Sequence, residues 1–225
     1  MRKPQHSLAE QALARMKQDI IRCYFRPGSV LKEGDLADRY GMSKTPIREA
    51  LSLLRRDGFI EVLPRRGILV RSVELQDIQN TFLLRMQLEP EAAALAAARA
   101  TKEQLKRIDD LCDALSHPDA GESPRELMTL HRTLHEAIAE ASGIRELVPM
   151  IRTLHEKVEW FYNYERLRVP LRPTQDDTRA LVDAIIGGDA ERARTLIAEN
   201  IRSSRQHLID LLIRDPQLTV VGRSA

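Results

Sequence analysis

A group of polar residues at the start of one predicted helix has the chemistry of a DNA-contacting surface. Lys44 and Arg48 are four residues apart and therefore lie one turn apart on the same helix face. Both are donors, and arginine binds O6 and N7 of guanine with two hydrogen bonds. The hydroxyls of Ser43 and Thr45 suit phosphate oxygens, which fix register without reading sequence. The alternatives are a simple helix cap for Ser43 and a solvated face for Lys44 and Arg48.

The elements around this group are those of a helix-turn-helix. Apolar periodicity and capping residues predict three helices, which start after Ser7, at Glu33 and after Ser43. The second and third are separated by a three-residue turn, residues 41–43. In such a pair the second helix enters the major groove.

A basic hairpin is predicted directly after the third helix. Residues 59–63 and 68–71 are β-rich and are joined across a turn that carries Arg65 and Arg66 and ends at Gly67. Arginines at such a tip suit the minor groove, where narrow A·T tracts concentrate negative potential; the alternative is an ordinary polar turn. The combination predicts a winged helix-turn-helix that binds double-stranded DNA.

Charge divides the chain in the same way. Residues 1–72 hold 15 Lys or Arg and 8 Asp or Glu, a net charge of +7, whereas the remainder has a net charge of −5. Only the first part therefore favours a polyanion. The pattern predicts a DNA-binding domain over 1–72, an all-helical domain over 73–215 that contacts protein or a small ligand, and a loosely held tail over 216–225.

The expected fold is mainly α. A winged helix-turn-helix of three helices and a small β-hairpin precedes an all-α bundle with helices near 75–99, 102–115, 124–141, 144–167, 174–187 and 189–214. Pro90 marks a candidate break in the first of these. Cys23 and Cys112 match no zinc, redox or disulfide spacing and are interpreted as buried fillers. No apolar run long enough to cross a membrane and no signal peptide is evident, so we expect a cytoplasmic protein with no membrane partner.

The bundle offers two further groups with chemistry. His131 and His135 are four residues apart and face one way, so they could share a divalent metal such as zinc or nickel, but two neutral ligands are too few for a stable site. The favoured interpretation is two polar pocket residues without metal. No glutamate adjoins His131 to act as the general base of a metalloprotease. Arg85 could bind a carboxylate or pair with Glu89 at i+4.

The first domain closely resembles the DNA-binding domain of GntR-family bacterial regulators. The resemblance covers about residues 8–72 and rests on LADRYGMSKTPIREAL at 36–51, Leu54, Gly58-Phe59-Ile60 and Arg65-Arg66-Gly67. It implies that Lys44, Thr45, Arg48 and the Arg66-Gly67 wing tip contact an operator. Lys44 stands where arginine is commoner, which favours looser base selection there.

The second domain resembles the FadR-type branch, whose FCD effector domain is all-helical and dimerises. The similarity rests on Arg85 to Glu89, residues 130–143, residues 184–189 and Ala193. It implies a pocket for a small metabolite, often a carboxylic acid, and in many members a metal held by one Asp and three His. Those four positions fall here on His131, His135, Thr178 and Asn200, with Asp177 and His207 as possible substitutes.

Three functions are compatible with these patterns. The preferred one is a homodimeric repressor that binds a pseudo-palindromic operator in the nucleoid and whose affinity responds to an organic acid bound by Arg85, His131, His135, Thr178 and Asn200. The second is a ligand-independent DNA-binding dimer with a purely structural helical domain. The third, a metal-dependent enzyme using the two histidines, lacks a third ligand and a base.

Overall fold

The computed structural model describes residues 7–117, 123–164 and 175–214, and divides into two compact units with the boundary at Val73–Glu74. The side chains of 124–125, 175–177 and 211–214 are outside this description, as are the tail 216–225, the loop 169–173 and most of the loop 117–123. Among the described residues, no helix has both the length and the apolar character needed to cross a membrane.

The first unit contains three helices and a small sheet. The helices are α1 (Leu8–Ile21), α2 (Glu33–Tyr40) and α3 (Lys44–Arg56), and the strands are β1 (Val30–Leu31), β2 (Ile60–Leu63) and β3 (Gly67–Val70). The strands form an antiparallel sheet of order β1-β3-β2, with Val30 opposite Leu69 and Ile60 opposite Val70. The sequence predicted the hairpin but not β1, because two residues are too few to show an alternating pattern.

Local chemistry explains where these elements begin and end. Ser7 and Glu10 form a capping box at the start of α1. Gly41 has φ +64°, the left-handed conformation that glycine adopts freely, and it ends α2. Gly67 has φ +121°, and a Cβ there would lie 2.6 Å from the carbonyl oxygen of Leu31. Only glycine therefore allows the wing to approach β1 so closely.

The second unit is entirely helical over its described residues. Its helices are α4 (Leu75–Arg99), α5 (Lys102–Ser116), α6 (Pro124–Ala141), α7 (Leu147–Asn163), α8 (Gln175–Ile186) and α9 (Ala190–Arg214). The predicted mainly helical class is confirmed, although α7 begins three residues later than expected. Capping boxes at Thr101 and Ser123 fix the starts of α5 and α6.

Helix α4 lies at the centre of this bundle and contacts α6, α8 and α9. It is continuous through Pro90, so the break considered from sequence is not formed. A proline in a helix interior costs about 3 kcal/mol. Packing of α4 against three other helices outweighs that cost, and the buried residues Glu89, Pro90 and Ala92 remain in one helix.

Candidate functional site

The exposed side of α3 carries the residues expected to contact DNA. Ile47, Ala50 and Leu54 are fully buried, and Pro46 and Leu51 are also on the buried side. Ser43, Lys44, Thr45 and Arg48 are all exposed. Ser43 occupies the N-cap position, but its side chain makes no capping hydrogen bond, so a cap alone does not account for it. The structure thus brings these four side chains to one accessible surface.

Arg48 is not simply solvated. Its Nε donates a hydrogen bond of 2.9 Å to Oε2 of Glu33, the first residue of α2. The Arg48 side chain is still 67% exposed, whereas that of Glu33 is 28% exposed. The guanidinium is therefore held at one nitrogen and remains accessible to a ligand.

The wing and α3 enclose an open groove of about 600 Å³. Arg65 and Arg66 are exposed at the wing turn, and Arg65 has a positive φ of 62°. Lys32 and Arg55 also line this groove, together with Arg48. Sequence reasoning did not select Lys32 or Arg55, because only the folded wing brings them beside the other cations.

The helical unit contains a second concave site, a cavity of about 140 Å³. It is bounded by α4, α6, α7 and α9. The residues that line it are Arg85, Leu127, Met128, His131, Arg132, His155, Val158, Glu159, Tyr162, Asn200, Ser203, Ser204 and His207. A cavity of similar volume holds a molecule as small as benzene, so a ligand of about six to eight non-hydrogen atoms fits.

Arg85, which lines this cavity, belongs to a buried ion pair. The Nε of Arg85 donates to Oε1 of Glu89 at 2.6 Å, and both side chains are only 1% exposed. The two predicted roles of Arg85, pairing with Glu89 and binding a carboxylate, are therefore compatible. The pair with Glu89 forms through Nε, while Nη2 of Arg85 is buried without a hydrogen-bond partner. Such a donor is costly to leave unpaired, and it lies on a residue that lines the cavity.

Two imidazoles contact the same carboxylate. Nε2 of His155 is 3.1 Å from Oε1 of Glu89, and Nδ1 of His135 is 2.6 Å from Oε2, although the second contact is not aligned as a hydrogen bond. Burial is the largest influence on Glu89 and raises its pKa, but Arg85 and the two imidazoles outweigh it, so its pKa lies well below the usual value. Glu89 is thus a carboxylate.

Two histidines of this cluster, His131 and His155, are neutral. Burial, reinforced by His135, lowers the pKa of His131 well below its usual value. Burial and the charge of Arg85 lower the pKa of His155 to about 3. A neutral imidazole that donates one N–H to Glu89 keeps a lone pair on its other nitrogen.

The three histidines fit the donor requirement of a divalent metal. One nitrogen from each of His131, His135 and His155 lies within 4.8 Å of the others. His155, which sequence reasoning missed, supplies the third imidazole. The sequence had argued against a metal because only two histidine ligands were evident. These three residues would hold the ion, and Glu89 would orient the ring of His155 through their hydrogen bond. A bound metal would supply a Lewis acid able to coordinate a ligand oxygen.

The other expected site residues separate into two groups. Arg85, His131 and Asn200 line the cavity, and so does His207. His135 and Thr178 are buried and are not among the lining residues, and Thr178 Oγ1 has no hydrogen-bond partner. Their contact with an effector stays a prediction. The side chain of Asp177 is outside the described residues. Of the cysteines expected to be buried, Cys112 is buried and Cys23 is only partly so.

Comparison with known families and proteins agrees with this two-part architecture. Residues 8–70 match the bacterial regulatory proteins of the gntR family, and residues 80–203 match the FCD domain. The HTH-type transcriptional repressor GlaR of Escherichia coli is 27% identical over 203 residues, which cover 86% of this chain and 89% of GlaR. The transcriptional regulator YdhC of Bacillus subtilis is 30% identical over 131 residues.

The matches with several other relatives are shorter. The match with YdhC covers 56% of this chain and 57% of YdhC, so the chain spans about half the length of several curated relatives. Among solved structures, E. coli McbR/YncC superposes with a TM-score of 0.80 at 25% identity, covering 92% of this chain and 99% of that one. The chain belongs to the GntR family of bacterial regulatory proteins, with a DNA-binding helix-turn-helix followed by an FCD domain.

Proposed function

We propose that this protein is a sequence-specific transcriptional repressor whose affinity for its operator changes when a small carboxylate fills the cavity of the helical unit. The observation that carries the regulatory part is the buried Nη2 of Arg85, a cationic donor without a partner at the cavity wall. Repression is favoured by the name of one relative, GlaR, which covers most of the chain. Action on DNA implies a cytoplasmic protein.

In the DNA-bound state, Lys44 and Arg48 contact base edges in the major groove, and Ser43 and Thr45 contact phosphates. Arg65 and Arg66 enter the minor groove, for which Gly67 supplies the turn. Lys32 and Arg55 add positive charge to the groove between α3 and the wing. These assignments are supported by the exposure of the side chains and by the match of residues 8–70.

The test for DNA recognition is a selection of operator duplexes from a random pool, followed by binding of the selected and scrambled duplexes. The R48A variant should lose selectivity between them. R56A is a matched control, because Arg56 lies on the same helix, is 72% exposed and is absent from the groove lining. Wild-type selectivity in R48A would overturn the assignment of Arg48.

In the effector step, a ligand carboxylate accepts from Nη2 of Arg85, and the ligand's short carbon chain packs on Leu127, Met128 and Val158. The cavity volume restricts the ligand to a small acid. Binding changes operator affinity only to the extent that the ligand prefers one arrangement of the protein. A divalent metal held by the three histidines is a compatible addition to this site.

The test for the effector is a thermal-shift screen of small organic acids beside the primary amides of the same carbon skeletons. Stabilisation by an acid but not by its amide is expected. The R85M/E89M double variant removes both members of the buried ion pair, so it should fold yet lose the response. If no acid stabilises the protein, the alternative of a ligand-independent DNA-binding dimer is favoured.

A homodimer is proposed through an uncharged face of α4. Leu83 and Leu84 are 58% and 50% exposed, and no exposed residue of this fully described helix is charged between Leu75 and Gln87. Adjacent exposed leucines on a face without charge form an apolar surface of the kind that a protein partner covers. A dimer would place two recognition helices on the two half-sites of one operator.

A further inference from the structure

The groove between α3 and the wing contains one acid among its cations. Five of its lining residues are basic: Lys32, Arg48, Arg55, Arg65 and Arg66. Glu33 is the only acidic residue in the lining, all of which is described. A carboxylate in a surface that faces phosphates weakens binding to any DNA, so its presence here needs a compensating function.

The position of Glu33 is fixed from two sides. It is the first residue of α2, where the positive end of the helix dipole favours a carboxylate. On its other side it accepts the 2.9 Å hydrogen bond from Nε of Arg48. The Arg48 side chain is 67% exposed. Within the described structure, this contact is the only hydrogen bond of its guanidinium.

The use of Nε by Glu33 has a geometric consequence. The two terminal nitrogens of Arg48 remain as a fork of donors, which matches the paired O6 and N7 acceptors of guanine. A phosphate, in contrast, would approach Arg48 beside the charge of Glu33 and be repelled. A base edge carries no net charge and is repelled less.

We propose that Glu33 is a specificity-determining residue that positions Arg48 to read guanine and disfavours its capture by phosphate. The proposal rests on the proposed function, since it requires that Arg48 contacts bases. Glu33 acts through Arg48 and is a positioning residue. Its removal should therefore affect discrimination between DNA sequences more than total affinity.

The test compares E33Q and wild-type protein, both as full chains, on the selected operator and on a scrambled duplex of equal length, by fluorescence anisotropy at several salt concentrations. E33Q should bind scrambled DNA more tightly, with a log–log salt slope steeper by about 1. Its preference for the operator should fall at least tenfold. Selection with E33Q should also return a relaxed base preference at the guanine position.

E61Q is a matched control, because Glu61 also lies in this unit, pairs with Arg71 across 3.6 Å and is absent from the groove lining. E61Q raises the net charge by the same amount as E33Q and should strengthen binding to both duplexes equally. If E33Q only reproduces E61Q, the role of Glu33 is overturned. If R48A itself keeps wild-type selectivity, the proposed function of Arg48 fails first, so the two failures are distinguishable.

Discussion

Replacement of Glu89 by glutamine should strongly destabilise the helical unit. Glu89 is 1% exposed and compensates the equally buried guanidinium of Arg85 at 2.6 Å. In E89Q the positive charge remains in the interior without a counter-charge. Breaking a buried pair in this way costs about 3–5 kcal/mol, and the corresponding fall in the melting temperature is roughly 10 °C.

The measurement is urea and thermal unfolding followed by the fluorescence of Trp160, the only tryptophan of the chain, which is buried on α7 of the same unit. E91Q is the control, because Glu91 lies on the same helix but its pair with Arg194 is exposed. Exposed ion pairs contribute little to the free energy of unfolding. The double variant R85M/E89M should recover most of the stability. Equal unfolding midpoints for E89Q and E91Q would refute the account of a buried, mutually dependent pair.

Three further predictions concern the wing, the histidines and the dimer. G67A should lower the stability of the first unit by about 1–3 kcal/mol and weaken operator binding, because its Cβ would clash with Leu31. G34A is the control, since a Cβ at Gly34 meets no atom within 4 Å. Similar calorimetric melting curves and operator affinities for G67A and G34A would contradict this. Zinc or nickel should raise the melting temperature of the wild type but not of H155A, and a metal response retained in H155A would exclude His155 as a ligand. L83E/L84E should convert the proposed dimer to a monomer in size-exclusion light scattering, whereas I186E, which alters another exposed residue, should not. An unchanged mass of L83E/L84E would place the interface elsewhere.

Several helices were predictable from sequence because they have strong local signals. Ser7, Thr101 and Ser123 cap helices whose apolar residues repeat at helical spacing, and Gly41 and Gly67 mark a helix end and a tight turn. Strand β1 was not predictable, since its two residues become a strand only by pairing with β3. The continuity of α4 at Pro90 likewise depends on packing against other helices.

The site was predictable only where its chemistry is local. Lys44 and Arg48 lie within one helix, and the pairing of Arg85 with Glu89 follows from their i+4 spacing. The contact of Glu33 with Arg48 and that of His155 with Glu89 join residues far apart in sequence. The periodicity of apolar residues does not predict such a contact, because the contact depends on how two helices pack.

The central claim is that a carboxylate bound beside Arg85 controls operator binding. The most direct measurement is the Kd of the wild-type protein for its selected operator, titrated with an acid that stabilises the protein and, separately, with the amide of the same skeleton. A change in Kd of about tenfold or more is expected with the acid, and none with the amide. An acid that stabilises the protein through Arg85 but leaves the operator Kd unchanged would contradict it.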